Sequence, residues 1–482
     1  MEKTFKILFI REIQGAIIDF RFWVVLVLCL SVIPLSFFVS VKNYSQKMSD
    51  YQQEVQSYRD NSTHVHAQFK AEGVRPPSPL SIFSRGMESK MPYKVITSRE
   101  GNYQIEYPKP DNNKDLLGEI DFAFIVAFVL SILAIVFTYS SISGDKESGV
   151  LRGILSNAVL RRQVLIAKLL GNYIVFLVPF LLSMLISLMV VYSSGAIPVF
   201  SAQLFPSILM IIGISLVFLF ALFNLGLWVS ALTRNSILSI NLLLLLWIIL
   251  GLVIPKISPI IASTIFPVES TGVFEAKKTL LRTNIEKEQF KEEGELYGKL
   301  RMQFQPGKDG VSSDWTEVNA AYDEQVTPIR EKYEQLLNAE TEKLTVDYTI
   351  RKNKQNNIAE NIARLSPINS INNLIAEFSY TGFSESDNFL QQAKDYQATV
   401  KQEVYDKFIL KTYRSGGGTM SQSNIVDGIE PDQLTAPVLE NYKHVDIGSI
   451  MQQNWVDIML LCLYSLLFFV CAFISFLRFD VR

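Results

Sequence analysis

The 482-residue chain is short of most groups that a soluble active site uses. Its three histidines are His64, His66 and His444. The first two stand two positions apart on an expected helix and so do not share a face, and the third is alone, so no metal site is expected. The three cysteines, Cys29, Cys462 and Cys471, all fall in apolar runs, which leaves the polar regions without a disulfide. There is no Gly-x-x-x-x-Gly-Lys-Ser/Thr phosphate loop: Gly298-Lys299 and Gly307-Lys308 lack the glycine spacing and the hydroxyl residue. Gly-x-Ser-x-Gly and His-Glu-x-x-His are missing too. A net charge of -2 argues against a nucleic-acid partner, which needs a basic surface. No catalysis and no resident cofactor are expected in this chain.

Long apolar runs are what the sequence does have. Six of them, at 22–41, 120–140, 172–193, 207–231, 237–254 and 456–476, are long enough to cross a ~30 Å hydrocarbon layer as helices. The fold class expected is a mainly α, polytopic membrane protein with six transmembrane helices and two extracytoplasmic soluble insertions, 42–118 and 257–454. Residues 1–21 place Phe5, Leu8, Phe9, Ile13, Ala16, Ile17 and Phe20 on one stripe, the pattern of an interfacial helix. Arg11, Glu12 and Asp19 interrupt it, which argues against a cleaved signal peptide. Lys146, Arg152, Arg161, Arg162 and Lys168 in the loop 141–171 put that loop in the cytoplasm, whereas Ser194 to Pro206 has no Lys or Arg. Both termini, including the tail 477–482, then lie in the cytoplasm.

The first insertion reads as a helix-prone part through Phe69, a turn at Arg75-Pro-Pro-Ser-Pro79 and a hairpin from Tyr93 to Tyr107 about Glu100-Gly-Asn102. The second reads as antiparallel helices over 284–301 and 328–365, with Thr327-Pro328 as a helix start. Leu365-Ser-Pro breaks the helix before a second group, 370–408, and Arg414-Ser-Gly-Gly-Gly-Thr419 is a flexible loop by composition. Asp121, at the outer edge of the second span, has a structural role as its favoured reading. Asn224 and Asn241 are expected to make interhelical hydrogen bonds.

The stretch that organises the chain is Ser141-Ile-Ser-Gly-Asp-Lys-Glu-Ser-Gly-Val-Leu-Arg152, continuing to Lys168. Val150, Leu151, Ile154 and Leu155 recur at helical spacing while Lys146, Glu147, Arg152 and Ser156 fall elsewhere, so one short amphipathic helix along the membrane surface is expected. Gly144 through Arg152, then Leu155-Ser-Asn157 and Arg161 to Lys168 ahead of Gly171, resemble the cytoplasmic loop of ABC type 2 permeases. Asp145 stands where that family usually has Glu, Val150 where it has Thr, and Ala158 where it has Pro; Ala158 lets a helix run further than proline would. Pro77 to Gly86, Leu365-Ser-Pro367 and Thr381-Gly382 resemble segments of permeases in this family with a large outer insertion, and a rigid docking loop is the reading for the first.

The resemblance implies a permease subunit of an ATP-binding cassette transporter in the bacterial cytoplasmic (inner) membrane. Gly144, Asp145, Lys146, Glu147, Ser148, Gly149, Leu151, Arg152 and Leu155 would couple it to a separate ABC ATPase subunit, which would hold the ATP and Mg. A second permease, as homo- or heterodimer, membrane lipid and an envelope protein are the other partners it implies. ATP turnover would then tilt the first, second and fifth spans and drive export. Two alternatives stay open: an ABC-driven mechanotransmission device acting on an envelope partner, and a membrane-anchored scaffold without ATPase. The docking assignment expects Glu147→Arg to abolish ATPase association; the scaffold expects Glu147 and Arg152 to be replaceable.

Overall fold

A computed structural model describes residues 2–61, 70–97, 103–108, 120–156, 159–303, 315–415, 418–425, 439 and 442–478. His64, His66, Asn157, Ala158, the expected turn at Glu100 and the Gly307-Lys308 pair lie outside these residues. Among the described residues, six helices are long and apolar enough to cross a membrane. The chain is a mainly α, multi-pass membrane protein. Span 1 is the first part of a single helix, Phe20–Asn61, which does not end at residue 41. Span 2 starts at Phe122 and includes a π-helical turn, Ile125–Leu130. Span 3 (Arg161–Ser193) is already helical at its basic cluster. Span 4 is Phe205–Leu232, span 5 runs from Ser236 to Ile265 with a second π-helical turn at Ile249–Val253, and span 6 is Trp455–Leu477.

The spans are packed by aromatic side chains at their shared faces. Phe137 of span 2, Phe176 of span 3 and Phe223 of span 4 meet in edge-on or tilted pairs with centroids 5.1–6.2 Å apart. Asn224 of span 4 donates to the carbonyl of Ser465 in span 6 at 3.3 Å, the interhelical bond expected of a buried amide. Asn241 is exposed on span 5. Asp121 caps span 2: its Oδ1 accepts from the Phe124 amide at 2.8 Å and its Oδ2 from the Arg85 amide at 2.9 Å. Its role is structural, as expected.

The two insertions leave the same side of the bundle, here the stalk side, and meet there. In the first, β1 (Ala71–Val74), β2 (Lys94–Thr97) and β3 (Tyr103–Glu106) form an antiparallel sheet in the order β1-β2-β3. β2 and β3 are the arms of the expected hairpin. The helix of span 1 is tied to this part by Lys47–Glu88 at 2.6 Å and Lys94–Glu54 at 3.0 Å. In the second insertion two stalk helices, Thr271–Gln303 and Trp315–Ala363, run antiparallel: Phe274 stacks on Tyr348, Glu293 pairs with Arg330, and Tyr297 meets Tyr322.

Three expectations change here. Thr327-Pro328 does not start a helix, because the second stalk helix is already formed from Trp315. Pro328 is exposed, so the carbonyl that loses its partner one turn earlier can reach water. The glycine-rich stretch at Arg414 is not a loose loop but the end of a hairpin, in which β4 (Phe408–Ser415) pairs with β5 (Gly418–Ile425) and Ser415 faces Gly418. The organising stretch holds two helices rather than one, Ser143–Glu147 and Val150–Ser156. They part at Gly149, whose φ of +76° suits glycine.

After the stalk, a wedge helix (Pro367–Phe378) re-enters among spans 2, 4, 5 and 6, with Ile368, Ile371, Leu374, Ile375 and Phe378 buried. A cap helix (Phe383–Glu403) packs Phe389, Ala393 and Val400 against Ala71 and Val95 of the sheet. The segments singled out at Pro77 and Thr381 contact one another. Ser78 Oγ donates to Ser379 O at 2.7 Å, the Met87 amide to Thr381 O at 2.9 Å, and Thr381 Oγ1 to Ser84 O at 3.0 Å.

Candidate coupling site

The organising stretch lies on the opposite side, the loop side. The anchor helix, Ser143–Glu147, begins where span 2 ends and is fixed to span 4: the amides of Ile142 and Ser143 both donate to Ser230 Oγ, at 3.0 and 2.9 Å. Nearby Gly226 lets span 2 approach span 4, since a Cβ there would stand 1.9 Å from Thr138 Oγ1.

Asp145, Lys146 and Glu147 are consecutive, yet each bonds a different span. Asp145 Oδ2 is 2.7 Å from Lys168 Nζ at the start of span 3. Lys168 is 4% exposed, and its ammonium also meets Glu12 Oε1 of the N-terminal helix (Glu2–Ile18) at 3.0 Å. A buried cation needs such partners, since desolvation costs several kcal/mol per ion. Gly171 allows this close approach: a Cβ there would be 2.9 Å from Glu12 Cβ. Lys146 Nζ donates to the carbonyls of Ala231 and, at 2.9 Å, Thr233, which end span 4. Glu147 Oε2 accepts from the Ser236 amide at 3.2 Å and from Ser236 Oγ at 3.0 Å, where span 5 begins.

Beyond Ser148 and Gly149, the surface helix Val150–Ser156 is held by Leu151, which is fully buried, with Ile154 and Leu155 half-buried. Val150, Arg152, Gly153 and Ser156 are exposed, and a Cβ on Gly153 would meet nothing within 4 Å. A small open face with one cation and one branched apolar side chain is thus offered on the loop side. The family profile of the ABC-2 family transporter protein matches residues 7–481. The chain belongs to this family. The match takes in all six spans and both insertions, and it makes the ABC-2 chain a membrane component of a transport system. Curated proteins supply no match.

The nine residues singled out in this ABC-2 chain therefore divide into two groups. Gly144, Asp145, Lys146 and Glu147 are turned into the protein's own spans; Gly144 Cα lies where a Cβ would be 3.4 Å from Ser140 Cβ and 3.6 Å from Ser236 Oγ. Ser148 closes the anchor helix, donating to Gly144 O at 2.9 Å, Gly149 makes the break, Leu151 and Leu155 pack inward, and Arg152 faces out. Sequence reasoning missed the roles of Glu12, Ser230 and Ser236, and counted Lys168 as a topogenic charge and as part of the stretch that carries the resemblance, without its ion pairs. Partners so far away along the chain leave no local pattern. A polar cavity of about 160 Å³, lined among others by Glu12, Asp19, Arg21, Asp145 and Lys168, lies where the N-terminal helix meets spans 2 and 3. Among the described residues, no three His, Cys, Asp or Glu gather to hold a metal ion.

Proposed function

We propose that this chain is the permease subunit of an ATP-binding cassette transporter and that a separate ATPase docks on the exposed face of the surface helix. The observation that carries this reading is the arrangement of that helix: Leu151 anchors it while Val150, Arg152, Gly153 and Ser156 stay uncovered. ATP and Mg belong to the partner, and this chain supplies the path and the movement for export. The loop side is the cytoplasmic side, because it holds Lys146, Arg152, Arg161, Arg162 and Lys168 while the opposite connection Ser194 to Pro206 has no cation. Both termini are then cytoplasmic, the stalk side is extracytoplasmic, and the membrane is a bacterial inner membrane. A second permease completes the unit. Span 5, only 17% buried along its most apolar window and bearing the exposed Asn241, has the surface for it.

A second reading is favoured by the stalk. Arg364 at its base forms a bidentate pair with Asp457 at the head of span 6, at 3.0 and 3.1 Å, so bundle and stalk are bound together. In that reading ATP turnover moves the stalk against an envelope partner. Affinity purification from native membranes with an ATP hydrolysis assay tests the common part. Recovery of an active ATPase is expected, and Arg152→Glu should reduce it by about tenfold. Intact protein without any ATPase would leave the scaffold.

A further inference from the structure

We propose that Lys146 and Glu147 form a two-charge clamp on the turn between spans 4 and 5, through which movement of the surface helix becomes movement of those spans. The inference rests on the reading that the surface helix receives the ATPase. The turn itself is short, with Leu232 ending one helix and Ser236 starting the next. A helix leaves unpaired carbonyls and a partial negative charge at its C-terminus, and unpaired amides and a partial positive charge at its N-terminus. Lys146 serves the first at Ala231 and Thr233, and Glu147 serves the second at Ser236. Each helix end is met by the charge it favours, and both charges come from one anchor helix. Asn235 also caps span 5, its Oδ1 accepting from the Leu238 amide at 2.9 Å, so Glu147 adds a grip to an end that is already formed.

The anchor helix cannot move without its load. Ser230 Oγ holds it to span 4, and span 2, which leads into it, packs closely on span 4 at Thr138 and Gly226. Only Ser148 and Gly149 separate it from the surface helix. The far end of span 5 is tied as well: Gln355 Nε2 of the stalk donates to Phe266 O at 2.8 Å, and Lys354 Nζ lies 5.0 Å from the centre of the Phe266 ring. Lys146 and Glu147 are positioning residues, therefore, and not part of the docking face.

The experiment uses the chain purified with its ATPase and placed in nanodiscs, with Cys29, Cys462 and Cys471 replaced by alanine. Spin labels at Ser193→Cys and Lys256→Cys, exposed on spans 3 and 5, report their separation without nucleotide and with Mg-ATP plus vanadate. The expected result is a nucleotide-dependent shift that is lost in Lys146→Ala/Glu147→Ala at undiminished ATPase recovery and regained in Lys146→Arg/Glu147→Asp. A shift that survives the alanine pair overturns the proposal, as does loss of the ATPase itself in that variant. A second arm needs no ATPase. Amide exchange at residues 236–238 of the chain alone should quicken by about threefold in Glu147→Gln, and unchanged exchange rules out the clamp. If no ATPase is recovered with the unaltered chain, the docking reading fails, and the exchange arm still decides whether the clamp exists.

Discussion

Two glutamates hold the starts of helices on opposite sides of this protein, and their surroundings differ. Glu147 accepts from the amide and hydroxyl of Ser236 while remaining exposed. Glu377 accepts from the amides of Phe383 and Ser384, at 2.9 and 3.3 Å, at the start of the cap helix, and is only 6% exposed. The chemistry is the same: a carboxylate satisfies amides that a helix leaves unpaired. The environment decides what it does. An exposed carboxylate is well hydrated in either state and is released cheaply, which suits a joint that must transmit and return. A buried one is costly to ionise, and burial pushes the Glu377 carboxyl above its ordinary value of 4.5, against the hydrogen bonds from Ser384 and Phe383 that pull it down. It belongs to a joint that stays closed.

The largest expected effect comes from crowding the buried glutamate. A Cβ at Gly382 would lie 2.3 Å from Glu377 Cδ, so Gly382→Ala should destabilise the stalk side by about 2 kcal/mol in thermal unfolding. Gly153→Ala on the loop side should change stability by less than about 0.5 kcal/mol. Equal losses would break the contrast between a closed and an open joint.

Acid should separate the two regions of the stalk side. With its folded value raised above 4.5, Glu377 weakens the fold while ionised; lowering the pH through that raised value removes the penalty, which is gone below 4.5. Glu360 and Asp387 are raised by burial and act in the same direction. Between pH 7 and 5, amide exchange in the wedge and cap helices should therefore slow, after correction for the intrinsic rate, and less so in Glu377→Gln. Glu293 in the stalk goes the other way. Burial pushes it up, but Arg330, Gln289 and Tyr322 hold it below 4.5, so the stability it lends is present above 4.5 and is lost as the pH falls through its folded value. The stalk around Glu293 and its partner Arg330, far along the second stalk helix from Glu360, should keep its exchange rates over the same range. A small effect is expected for Glu147→Gln, a loss of about 0.5 kcal/mol in thermal unfolding; a loss as large as that at Gly382 would mean that the loop side is fastened as firmly as the stalk side.

The spans were legible because a run of apolar residues is sufficient cause for a membrane helix, whatever its neighbours. The helices of the stalk could be read for the same kind of reason, from the helical patterning of 284–301 and 328–365. The site was legible only in its location. That Val150 to Leu155 would form a helix follows from spacing, but spacing puts Lys146 and Glu147 only off its apolar stripe, with no sign that they bond Thr233 and Ser236. A charged side chain carries no mark of the carbonyl it will meet some 85 residues later. The break at Gly149 and the hairpin at Ser415 were hidden for another reason: glycine permits several backbone shapes, and only the packed neighbours choose among them.

The helix of span 1 continues without interruption from Phe20 to Asn61, and its 42 residues give a length of about 63 Å. Roughly half of it stands clear of any hydrocarbon layer ~30 Å thick. A tilt of about 5° about the loop-side end would displace Asn61 by about 5 Å. The small sheet, fastened to that upper part at Glu54, would travel with it, as would the turn at Glu88, which Lys47 holds. A modest reorientation within the membrane is thus magnified in the compartment beyond.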